Sequence, residues 1–81
     1  MTKAYEKAVL DFVNYSDEFS RRYAAERGRK SRGIEHTLLL LEWGICTKKD
    51  LKYVNPEYIA GLPGIGKRRF ELIMAIKKSL E

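Results

Sequence analysis

The chain of 81 residues contains a single cysteine and a single histidine. With Cys46 alone, no internal disulfide can form, and the sequence favours a reducing compartment. His36 has no second histidine or cysteine at metal-ligand spacing, so we expect it at the surface or as a helix cap. The sequence therefore predicts neither a metal site nor another cofactor.

Long apolar runs and catalytic motifs are missing as well. The longest leucine run, Leu38 to Leu41, is far too short to span a bilayer, and the N-terminus lacks the apolar core of a signal peptide. No carboxylate pair, nucleophile with a nearby base, or nucleotide loop with Walker spacing is evident. We expect a cytoplasmic protein that has no membrane partner and is not an enzyme.

What is abundant is positive charge, and its distribution is uneven. The chain holds 16 lysines and arginines against 11 acidic residues. The first 20 residues contain two basic and four acidic side chains, so the excess lies in the remainder. It is concentrated at 27–32, 48–52 and 67–69. Clustering of this kind is typical of a polyanion-binding protein, although basic patches also bind acidic proteins.

Apolar side chains at steps of three and four predict one long amphipathic helix over residues 1–27, ended by Gly28. Packing of its stripe against the rest of the chain is the default expectation. A homodimer or a protein partner is the alternative, because so long a stripe can exceed what a small domain covers. The aromatic residues that such a protein-interaction surface would use are Tyr5, Phe12, Phe19 and Tyr23.

A basic linker is predicted over residues 28–33, where two glycines enclose the candidate phosphate contacts Arg29, Lys30 and Arg32. Four short helices are predicted within residues 34–81. Gly44 ends the first, Thr47 and Asp50 form a capping box before the second, and Asn55 with Pro56 starts the third. The last helix begins at Lys67. With no segment alternating at period two, the fold class is all-α.

The stretch from Leu62 to Arg69 carries the strongest functional signal. Gly64 and Gly66 permit a tight turn through positive φ, and Ile65 can fill the joint between the flanking helices. Backbone amides at the start of the last helix are expected to be unpaired, and such a terminus binds anions. Cations in a first turn oppose the helix dipole. The candidate DNA-binding residues of this turn are Gly64, Gly66, Lys67, Arg68 and Arg69.

These residues also carry a family resemblance. From Ile34 to Ile76 the chain resembles a compact double helix-hairpin-helix domain, and most closely the C-terminal domain of the bacterial RNA polymerase alpha subunit. The shared features are Gly44-Ile45, Asp50-Leu51, Ile59-Ala60, Pro63 and Gly64-Ile65-Gly66-Lys67. The resemblance implies that this part of the chain forms a compact four-helix double helix-hairpin-helix domain. The long N-terminal helix predicted from the apolar spacing precedes it and has no counterpart in the resemblance. The resemblance also implies backbone contact to DNA phosphates through the hairpin.

Two functions follow as expectations. The first is a sequence-tolerant DNA-binding module, an accessory factor in transcription or DNA maintenance that works beside a protein of that machinery. The second is a protein-interaction module in which the hairpin is structural and DNA is not bound.

Overall fold

The computed structural model describes residues 2–31 and 33–81, and within these ranges the chain is helical with no β-strand. The all-α prediction and the long first helix are therefore confirmed. Arg32 lies outside the described residues. No helix in the described ranges is long and apolar enough to cross a membrane. The helices are α1 (Lys3–Glu26), α2 (Glu35–Glu42), α3 (Lys48–Tyr53), α4 (Pro56–Ala60) and α5 (Lys67–Leu80).

Side-chain and glycine caps explain where the helices begin and end. The Thr2 hydroxyl accepts the amide hydrogen of Tyr5 and starts α1. At its other end the amides of Gly28 and Arg29 donate to carbonyls in the last turn, with Gly28 at φ +64°. This is the Schellman arrangement, which a residue with a Cβ adopts only under strain. Gly44, at φ +89°, ends α2 with the same pair of hydrogen bonds.

The short helices α3 and α4 are held by their N-caps. The Thr47 hydroxyl accepts from the Asp50 amide, and the Asp50 carboxylate accepts from the amide of Thr47, which completes the predicted capping box. The Asn55 side chain accepts from the amide of Glu57 at the start of α4. Helices of five and six residues are marginal alone, so these caps and packing on the core keep them in place.

One apolar core joins all five described helices, and α1 packs against α2, α3 and α5. The apolar stripe of α1 therefore packs against the rest of its own chain, which was the default expectation. Phe12, predicted as part of a protein-interaction surface, is 0% exposed and lies in this core. That prediction is wrong, because the aromatic ring is used inside its own chain. The core residues are Phe12, Leu40, Ile45, Leu51, Ile59, Leu62, Ile73 and Ile76.

Candidate nucleic-acid interface

The turn between α4 and α5, residues 62–66, positions the candidate site. Gly64 has φ +82°, and a Cβ there would lie 3.4 Å from Leu39. The backbone conformation therefore favours glycine, whereas the contact with Leu39 would be an ordinary van der Waals contact. Ile65, which follows, is half-buried against the core, as expected of a residue that fills the joint.

Gly66 differs from the prediction of positive φ. Its φ is −88°, and no atom lies within 4 Å of the position that a Cβ would take. The turn does not need glycine here for steric reasons. The missing side chain leaves open space directly beside the start of α5, where a ligand can approach the backbone closely.

The first turn of α5 is suited to an anion. No side chain caps it, and the amides of Gly66, Lys67 and Arg68 have no hydrogen-bond acceptor among the described residues. The other four described helices each have an acidic residue in the first turn, whereas α5 has none. Lys67 and Arg68 are exposed and form no ion pair within residues 2–31 and 33–81. Unpaired amides and unpaired cations thus lie together at one exposed helix start.

Arg69 is in a different position from its two neighbours. Its guanidinium donates to the carbonyl oxygen of Gly64 at 2.8 Å and forms an ion pair with Glu35. This side chain ties the turn to the start of α2. The geometry therefore favours Lys67 and Arg68 over Arg69 as free phosphate contacts, since Nη1 and Nη2 of Arg69 each already donate to a partner within the chain.

The linker and the first turn of α5 meet at a cavity of about 510 Å³, which we call the cationic cavity. Arg29 and Lys30 from the linker lie on its wall together with Arg68 and Arg69. The predicted clusters at 27–32 and 67–69 are thus brought together, except that Arg32 lies outside the described residues. Gly64 and Gly66 are not on the wall. The lining residues are Ser20, Tyr23, Ala24, Arg29, Lys30, Ser31, Gly33, Glu35, His36, Arg68, Arg69 and Leu72.

His36 is buried, so the expected surface or capping role is wrong. Only 4% of the residue is exposed, and its Nε2 lies 2.9 Å from the Ser16 hydroxyl and 2.8 Å from that of Ser20. Burial lowers the pKa of His36 to about 4, and the Arg69 guanidinium acts in the same direction. The imidazole is neutral at pH 7. The signal for this polar cluster in the sequence is the pair Ser16 and Ser20, which are four residues apart and therefore lie on one face of α1.

The aromatic residues predicted for a partner are only partly available. Tyr5 is exposed, Phe19 is half-buried against the core, and the guanidinium of Arg27 lies 3.5 Å from the centre of the Tyr23 ring. The described residue ranges also contain no group of three side chains able to hold a metal ion. Comparison of the chain with protein-family models, curated proteins and solved structures gives no match.

Proposed function

We propose that this protein is a sequence-tolerant DNA-binding module that holds the phosphate backbone at the start of α5. The observation that carries the proposal is the juxtaposition of the unpaired amides of Gly66, Lys67 and Arg68 with two exposed, unpaired cations. Each cation in a first turn costs about 0.3–1 kcal/mol against the helix dipole, so folding alone favours an acidic residue there. A bound phosphate removes that conflict by accepting from the amides and pairing with the side chains.

The arrangement of α2 to α5 as a double helix-hairpin-helix domain is part of the same proposal. Two glycines at positive φ, Gly44 and Gly64, are each followed by an isoleucine that packs on the core. The second turn connects α4 and α5, which contact each other. A pair of such turns supports the resemblance seen in the sequence, and through it a place in transcription or DNA maintenance.

Weak, salt-sensitive and sequence-tolerant binding follows from this geometry. Backbone amides and phosphate-directed cations fix a strand without reading its bases. A handful of neutralised phosphates gives a dissociation constant of about micromolar or weaker at physiological salt, and the affinity falls steeply as salt rises.

The test is binding to a labelled random-sequence duplex across a salt series, with Lys67→Glu/Arg68→Glu beside the native protein. Loss of two phosphate contacts lowers the slope of log affinity against log salt by about 2. The matched control is Lys49→Glu/Lys78→Glu, which changes the net charge equally at two exposed lysines away from the turn. Both variants are checked for folding by circular dichroism.

We expect the control to bind nearly as well as the native protein, and the turn variant to bind much more weakly and with the lower salt slope. Equal loss in both variants would mean that overall charge, rather than the turn, attracts the duplex. Absence of native binding at low salt would refute phosphate binding by Gly66, Lys67 and Arg68, which we call the phosphate clamp.

An exposed aromatic cluster favours the second candidate function, a protein-interaction module. Trp43, Tyr53 and Tyr58 line a shallow surface concavity and are 42%, 71% and 46% exposed. Exposed large aromatics are common at protein interfaces. This cluster lies outside the predicted interaction helix α1. If the native protein does not bind duplex DNA, this aromatic cluster becomes the candidate surface for a protein partner.

A further inference from the structure

The cationic cavity differs from the open turn in having a partly apolar wall. Tyr23, Ala24 and Leu72 line it together with the basic side chains already described. A volume of about 510 Å³ lies within the range of roughly 300–1,000 Å³ that small-molecule sites occupy. A phosphate alone needs no apolar wall, so the cavity has room for an apolar group that is attached to a phosphate.

The hydrogen bonds of His36 fix which ring nitrogen carries the proton. The Ser20 hydroxyl lies 2.7 Å from the carbonyl oxygen of Ser16, to which it must donate because a carbonyl has no hydrogen. Its oxygen can then only accept from His36, so Nε2 carries the hydrogen. In a neutral imidazole, Nδ1 is consequently the acceptor.

Nδ1 of His36 is left without a partner. Within residues 2–31 and 33–81 it makes no hydrogen bond, although the residue is 96% removed from solvent. No fully buried side-chain nitrogen or oxygen in these ranges lacks a partner, so Nδ1 reaches solvent, and the cavity that His36 lines is the opening. Because Nδ1 is an unpaired acceptor in a partly apolar cavity, it favours a ligand that carries an N–H or O–H group.

The charges around the rim select an anion. Arg29, Lys30 and Arg68 have no ion-pair partner in the described ranges. Glu35 also lines the cavity, but its carboxylate is paired with Arg69. The starts of α2 and α5 both contribute residues to the wall, and neither start has a side-chain cap. Positive potential therefore surrounds an opening whose interior accepts a hydrogen bond.

We propose that the cationic cavity takes the base of one unpaired nucleotide while the start of α5 holds a neighbouring phosphate. Every common base carries an N–H donor and an apolar ring, so one acceptor and an apolar wall admit a base without selecting its identity. This inference rests on the proposed phosphate clamp. It extends the clamp from duplex backbone to unpaired strands, ends and gaps.

The test compares two short single strands that carry equal numbers of phosphates, one with bases and one abasic throughout. The native protein is expected to bind the base-bearing strand about tenfold more tightly, from one hydrogen bond and one buried ring. Ala24→Leu fills the cavity with apolar bulk and should remove that difference. Ala25→Leu, an exposed neighbour on α1 that does not line the cavity, should keep it.

A second readout follows the imidazole itself. The ¹⁵N signal of His36 Nδ1 in the native protein should move on adding the base-bearing strand and stay in place with the abasic strand. An unmoved signal, or equal affinity for both strands, overturns the cavity proposal even if Ala24→Leu does not fold.

The two proposals fail in different ways. If Lys67→Glu/Arg68→Glu abolishes binding and the native protein does not distinguish the two strands, the clamp stands and the base site is wrong. If the native protein binds neither strand nor duplex, the clamp is wrong and the base site falls with it.

Discussion

Acidification should destabilise this protein through His36, the only histidine in the chain. The imidazole is buried against Ser16 and Ser20, and its pKa lies at about 4 instead of the usual 6.5. Arg69 lowers this pKa in addition to burial, whereas Asp17 and Glu35 oppose the shift. Because the unfolded chain binds the proton more tightly, a fall in pH through this interval favours unfolding.

The magnitude follows from the two pKa values. The stabilisation is complete above about pH 6.5 and is lost progressively as the pH falls toward 4. Between pH 7 and pH 5 the free energy of unfolding should fall by about 2 kcal/mol. That is a large share of the roughly 5 kcal/mol available to a small domain.

Urea denaturation of the native protein and of His36→Gln at both pH values measures this loss. His36→Gln lowers stability at pH 7 by disturbing the cluster, but it removes the histidine titration and should show a much smaller pH dependence. Carboxyl groups titrate in both proteins, so their contribution cancels in the comparison. An imidazole that titrates near 6.5 by NMR, or equal losses in both proteins, would refute the reasoning.

Two further predictions concern stability, and urea denaturation measures both. Gly64→Ala should cost about 1–2 kcal/mol because its φ is +82°, a conformation that a residue with a Cβ adopts only under strain. Gly66→Ala, at φ −88° in open space, should change stability by under about 0.5 kcal/mol. Equal costs at the two glycines would contradict the described turn. Phe12→Ala should cost about 3–5 kcal/mol and Leu10→Ala, 61% exposed, under about 0.5 kcal/mol. A small loss in the free energy of unfolding on Phe12→Ala would contradict the position of this ring in the core.

The helix bounds could be predicted from the sequence to within a residue or two because the signals are local. Gly28 ends α1 through its own hydrogen bonds, and Thr47 with Asp50 starts α3 within one turn. Such caps act over three or four residues, so they are visible as patterns in the chain. Apolar spacing similarly identified the stripe of α1, although it did not show that Phe12 is used entirely within the chain.

The features that were missed depend on contacts between distant residues. Arg69 pairs with Glu35, 34 positions away, and nothing local distinguishes this arginine from Arg68. His36 is buried because Ser16 and Ser20 on another helix satisfy its Nε2, 20 and 16 positions away. A histidine in a first turn is ordinarily solvated, and only the packing of α1 on α2 changes that.

The cationic cavity, where the linker meets the first turn of α5, could be predicted only in part. Charge clustering identified Arg29, Lys30 and Arg68 as candidates, but their common position on one cavity depends on how the chain turns at Gly28. The cap at Gly28 could be predicted, whereas the direction that the linker takes after it could not. The candidate residues were therefore accessible from the sequence, and the apolar wall beside them was not.

The most direct measurement is amide NMR of the native protein during titration with a random-sequence duplex. If the start of α5 binds phosphate, the largest shifts occur at the amides of Gly66, Lys67 and Arg68, and high salt reverses them. The last turn of α5, which carries Lys77 and Lys78 but no unpaired amides, should move little. Shifts confined to the aromatic cluster or to the end of α5, with the turn unchanged, would contradict the phosphate clamp.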